Sequence, residues 1–93
     1  MRLSQKEVQS IKQTIHIFDP KALIYLFGSR VDDSKKGGDI DLLVLSKKLG
    51  FMEKIRIKIK LYELIGEQKI DLIIAENTLK PFVQIIQEKA MLL

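Results

Sequence analysis

Asp39 and Asp41 stand one residue apart in "GGDIDLLV", where an apolar run begins. On a strand, alternate side chains share a face, so both carboxylates point the same way. Two carboxylates on one face repel each other unless a cation lies between them. Hard divalent ions such as Mg²⁺ take carboxylate oxygens and keep positions open for water and phosphate. A third aspartate, Asp71 in "KIDLIIA", also opens an apolar run. If that strand lies beside the one carrying Asp41, three acids gather in one place. A lone Asp-x-Asp, by contrast, is no more than two solvated acids at a strand end.

The residues upstream add to the trio. Gly28-Ser29 closes the apolar run "ALIYLF", and small residues there let backbone N–H groups and a hydroxyl approach an anion closely. Arg30, Lys35 and Lys36 put positive charge in the loop that follows. An anion cradle therefore adjoins the acids, as metal–triphosphate chemistry requires.

The stretch "GSRVDDSKKGGDIDLLV" resembles the signature of the DNA polymerase β-like nucleotidyltransferase superfamily. That signature is a Gly-Ser, a short spacer, an Asp-x-Asp opening a strand, and a further carboxylate on a later strand. Nine residues separate Ser29 from Asp39 here. The order of elements and the short chain look most like the minimal nucleotidyltransferases (MNT) of prokaryotes, which often serve as antitoxins beside a helical HEPN-family partner. The resemblance implies that Asp39 and Asp41 bind two Mg²⁺ ions and that Asp71 binds the ion that activates the acceptor hydroxyl. It implies that Gly28 and Ser29, with Arg30, hold the phosphates of ATP. The transferred group would be AMP and the acceptor a tyrosine of the HEPN toxin. Gly38 stands where such proteins often carry Ser, a change expected to loosen the loop without removing a ligand.

Other phosphate and nucleotide motifs fail on order or spacing. There is no G-x-x-x-x-G-K-[ST] and no G-x-G-x-x-G. Phosphatases of the haloacid dehalogenase type place Asp-x-Asp after an apolar strand rather than before one. "GGDID" is similar to the turn of diguanylate cyclases, but the Glu-Phe is missing and the chain is too short. With no Cys and a single His, a covalent nucleophile is not the expected chemistry. His16 lies between Ile15 and Ile17 on an amphipathic helix with nothing to activate it, and reads as structural.

Helices and strands must position these groups. Ser4 and Glu7 form a capping-box pattern ahead of Val8, Ile11, Ile15 and Phe18 at helical spacing, and Asp19-Pro20 ends that helix. Residues 22–27 read as a strand covered on both faces, 30–38 as a loop, and 40–46 and 69–75 as two further strands. Residues 51–65 alternate basic and apolar in "KIRIKIKL", but the unbroken length favours a helix. Pro81 suits a first turn, with Asn77 or Thr78 as its cap, and Phe82, Ile85, Ile86 and Leu93 predict a terminal amphipathic helix. The result is a small α/β domain over residues 1–93, a mixed sheet of about three strands covered by helices.

At 93 residues one core is feasible without staples. No apolar run nears the ~20 residues of a membrane helix, the start lacks a signal-peptide core, and the absence of Cys fits a reducing compartment. The expected location is cytoplasmic. A net charge of +4 permits polyanionic partners, but few aromatics and no basic block argue against a nucleic-acid-binding protein. On a helical wheel of residues 51–65, Phe51, Met52, Ile55, Ile59 and Tyr62 make one stripe. Ile57, Leu61 and Leu64 make a second, nearly opposite. The second stripe is expected to be buried only in an assembly, against a partner or another copy of the chain, and the apolar end "AMLL" is expected to favour a partner too.

Overall fold

A computed structural model describes residues 1–34 and 38–93. Helix α1 (Gln5–Phe18) starts at the capping box: Glu7 N–H donates to Ser4 Oγ (3.0 Å) and Ser4 N–H to Glu7 Oε1 (2.9 Å). Strand β1 (Leu23–Phe27) follows, then a 3₁₀ turn at Gly28–Val31, strand β2 (Ile40–Leu45), helix α2 (Phe51–Ile65), strand β3 (Ile70–Ala75), helix α3 (Pro81–Lys89) and a two-residue strand β4 (Met91–Leu92). The sheet order is β3-β2-β1-β4. β2 runs antiparallel to β1 and parallel to β3, with α2 as the crossover, and β4 adds antiparallel to β1. The result is a mixed α/β sheet.

The period-2 alternation of each strand divides its residues between two faces. Ile40, Leu42 and Val44 of β2, Ile70 and Leu72 of β3, and Ile24 and Leu26 of β1 enter one core with Ile11 and Ile15 of α1 and Ile57 and Leu61 of α2. Each such side chain contributes about 1.5–3 kcal/mol of burial free energy. The opposite face carries Tyr25 and Leu43, in register with each other. α3 reaches it where Gln87 Nε2 donates to the Tyr25 hydroxyl (3.3 Å). Helices thus cover one face fully and the other in part.

Several expectations need correcting. The sheet has four strands among the described residues, not three. Leu93 is not helical, because α3 stops at Lys89 and the chain turns back along β1, where Leu93 N–H donates to Ile24 C=O (2.9 Å). The backbone of "AMLL" pairs along β1, while the Met91 and Leu92 side chains stay exposed. Neither Asn77 nor Thr78 caps α3: Lys80 holds that position without a side-chain bond, and Asn77 Oδ1 accepts from Leu79 N–H instead. β1 alternates buried and partly exposed rather than being covered on both faces. Ile57 and Leu61 are fully buried within the single chain, so the stripe expected at an assembly interface is the one facing the core. α1 covers it. Leu64, the third member of that stripe, stays exposed, as do Phe51, Met52, Ile55, Ile59 and Tyr62.

Candidate active site

The three aspartates lie on the less covered face, at the end of the sheet where β2 and β3 both begin. Asp41 and Asp71 are directly paired in the parallel register. The residues around each, Ile40 and Leu42 or Ile70 and Leu72, turn into the core, so apolar alternation alone fixes where the carboxylates point. Asp39 lies immediately before β2. Its Oδ2 is 3.4 Å from Lys69 Nζ, two positions before Asp71 on the same face. Asp39, Asp41, Lys69 and Asp71 thus form a four-cornered patch of three acids and one base.

The acids repel one another. Partial burial, then the neighbouring Asp71, then Asp39 push the Asp41 carboxyl up to about 6. The Lys69 ammonium is held above its ordinary range, first by its bond to Asp39 and then by the charges of Asp39 and Asp71. Among the described residues no group of three or more His, Cys, Asp or Glu side chains closes around a single metal position. Asp41 and Asp71 face each other, while Asp39 is drawn to Lys69. The donor set nonetheless suits Mg²⁺: oxygen only, on one face, with unbalanced negative charge.

Gly28 makes the approach of Asp41 possible. It adopts φ +76°, and a Cβ there would collide with Asp41 Oδ2. Gly38 plays the matching part for Ser29: with φ +93°, a Cβ on it would strike the Ser29 hydroxyl. The glycine expected to loosen the loop is therefore the residue that lets Ser29 sit against the chain just before Asp39.

Arg30 is hydrogen-bonded within the chain. Its Nε donates to Gly38 C=O (3.3 Å), Nη1 to Arg2 C=O (2.9 Å) and Nη2 to Gln68 Oε1 (3.2 Å). Arg2 replies with Nη2 to Ser29 C=O (2.9 Å) and Nε to Asp32 C=O (3.0 Å). Gln68 Nε2 passes the chain of bonds to Glu7 Oε2 (2.9 Å). The two arginines brace the Gly28–Ser29 turn against α1 and the start of β3. Lys35 and Lys36, expected to supply charge here, lie outside the described residues. His16 is structural, with Nε2 3.0 Å from Ala22 C=O.

Lys69, Arg2 and Gln68 were not among the residues expected from sequence. Lys69 had a legible signal, since its spacing of two from Asp71 puts it on the same face. Arg2 and Gln68 had none, because their contacts span 27 and 38 residues.

A small mixed sheet with acids at the shared start of two strands and a Gly-Ser turn beside them defines a nucleotidyltransferase-type domain. Residues 9–93 match the family described as Polymerase beta, Nucleotidyltransferase, and the chain belongs to it. Nucleotidyl transfer is that family's class of reaction. No curated protein matches the chain. No described helix is long and apolar enough to cross a membrane.

Proposed function

We propose that this chain transfers AMP from ATP, with Mg²⁺, to a hydroxyl of a protein, namely a tyrosine of a HEPN-family helical partner that it thereby neutralises as an antitoxin. The observation that carries the reading is the in-register pair Asp41 and Asp71, with Gly28 lacking the Cβ that would push Asp41 away. When bound, magnesium polarises the phosphate and lowers the pKa of the acceptor hydroxyl. Asp39 and Asp41 would hold two Mg²⁺ ions, and Asp71 would help hold the one that activates the acceptor hydroxyl. Gly28 and Ser29 present N–H groups and a hydroxyl to the phosphates. Arg30 acts mainly by holding that turn in shape. The acceptor oxygen bonds the α-phosphorus, pyrophosphate leaves, and the hydroxyl proton passes to water.

A second reading has its own support. Asp39 is engaged by Lys69, and among the described residues no three-acid metal cluster is closed, as suits a silent module that neutralises its partner by contact. One experiment separates the two: intact mass spectrometry of the protein encoded in the adjacent reading frame after incubation with ATP, Mg²⁺ and this chain. Addition of one AMP, abolished by Asp39→Ala or Asp41→Ala, supports transfer. With Asp71→Ala, nucleotide binding should outlast transfer. Neutralisation by the aspartate variants with no adduct at any time supports contact alone.

A further inference from the structure

The first stripe of α2 is an apolar surface that the chain does not cover. Phe51 is 73 % exposed, Met52 54 % and Ile59 53 %, with Ile55 and Tyr62 over a third exposed. At ~100° per residue these five span a single face of a helix whose opposite side, Ile57 and Leu61, is locked into the core. The face therefore cannot rotate inward. It continues into a trough of about 310 Å³ between α2 and the end of α1, bordered by Ile17 and Phe18 on one side and by Arg56, Ile59, Lys60 and Glu63 on the other. Ile17 is 74 % exposed, so the apolar surface bridges two helices.

Charge borders the stripe on both sides. Lys54 and Lys58 follow one edge, Arg56 and Lys60 the other, by the same wheel. Of the two acids of the helix, Glu63 offsets part of the second row and Glu53 is engaged at the helix start. Glu53 Oε1 accepts from Gly50 N–H (2.7 Å) at the helix start, and Glu63 lies 3.7 Å from Lys60.

We propose that this face docks one amphipathic α-helix of a partner protein whose apolar stripe is flanked by Asp or Glu on both sides. The partner helix lays its apolar side chains along Phe51, Ile55, Ile59 and Tyr62 and into the trough beside Ile17. Its acids meet the two rows of cations. A second copy of the chain fits poorly, because two such faces would bring Lys and Arg against Lys and Arg. A lipid surface fits poorly too, since a flat bilayer cannot fill a trough between two helices. The inference rests on α2 and α1 alone and holds whether or not nucleotidyl transfer occurs.

The test uses the whole chain and two labelled helical peptides of identical apolar sequence (Leu at i, i+3, i+4, i+7), one flanked by Glu and the other by Lys, titrated by fluorescence anisotropy. The Glu-flanked peptide should bind about tenfold or more tighter, the sum of a few partly exposed charge pairs, and should weaken as salt rises. Ile55→Glu/Ile59→Glu, both exposed and so compatible with folding as checked by circular dichroism, should abolish binding. Lys54→Glu/Lys58→Glu should narrow or reverse the preference. Equal binding of the two peptides, or none, overturns the proposal. So does sedimentation showing a dimer of this chain that Ile55→Glu/Ile59→Glu disperses. Binding to phosphatidylserine vesicles lost in the same variant, without peptide preference, overturns it in favour of a membrane.

Discussion

Lys69 and Asp39 meet at 3.4 Å across the start of the parallel strand pair, so a lysine of β3's approach neutralises the acid that opens β2. An ammonium and a divalent cation compete for the same carboxylate oxygens. Lys69→Met should therefore raise Mn²⁺ affinity about two- to fivefold, the range of an exposed ion pair, as read by calorimetric or EPR titration. Unchanged affinity would mean that the lysine stands aside from the metal position.

Asp41 should show a conflict between stability and activity. Its raised carboxyl means the folded chain binds a proton more tightly than the unfolded one, so its contribution is full below the ordinary carboxylate range near 4 and is lost as pH rises through about 6. Asp71, Asp39 and Lys69 are the charged groups around it. Without divalent metal, Asp41→Asn should be more stable at pH 7 by about 1 kcal/mol after allowance for screening, or about 4–8 °C in Tm. The difference should vanish below pH 4, while nucleotidyl transfer is lost at every pH. Thermal melts across pH would check the first part, and a variant no more stable than wild type at pH 7 would refute it.

Gly28→Ala should be damaging in two ways. The backbone at φ +76° is costly for any residue with a Cβ, and that Cβ displaces the Asp41 carboxylate. A loss of about 1–3 kcal/mol is expected, with loss of metal binding beyond what the destabilisation explains. Gly38→Ser should also destabilise, because its Cβ meets the Ser29 hydroxyl. Urea unfolding and Mn²⁺ titration of both variants test this. A stabilised Gly38→Ser would contradict it.

At the far end of β2, Ser46 Oγ donates to buried Asp19 Oδ2 (2.5 Å), and Lys21 N–H donates to Oδ1 (3.0 Å). The Ser46 bond, chiefly, holds the Asp19 carboxyl below its ordinary range. This contribution is present above the unfolded carboxylate pKa and is lost as pH falls through the depressed value. Ser46→Ala should cost about 1–3 kcal/mol near neutrality, and less in acid, with transfer activity per folded molecule unchanged. Denaturant melts at pH 3 and 7 would show it.

What the sequence disclosed follows from the range of the forces involved. Helix α1 announces itself through its cap and helical spacing, α2 through its unbroken length and β2 and β3 as short apolar runs, and the Asp-x-Asp spacing places two acids on one face before any fold is known. The pairing of Asp71 with Asp41 was legible only on the condition that β3 lies beside β2. Which stripe of α2 turns inward was not legible, because both stripes are apolar and the packing of α1 decides between them. Strand β4 escaped notice since two residues carry no period. The bracing by Arg2, Arg30 and Gln68 depends on contacts between distant segments that no local pattern records.

The position of β2 between β1 and β3 has a consequence in time. Amides bonded within the middle of a sheet exchange with solvent only when most of the fold opens, whereas a two-residue strand frays by itself. Deuterium uptake should therefore be slowest along Leu42–Val44 and fastest at Met91–Leu92, with Asp41 riding on the slow segment. Asp41 would hold its place through local openings elsewhere in the chain. Only the turn carrying Gly28 and Ser29, and the lysine opposite Asp39, would be left to adjust when a ligand arrives.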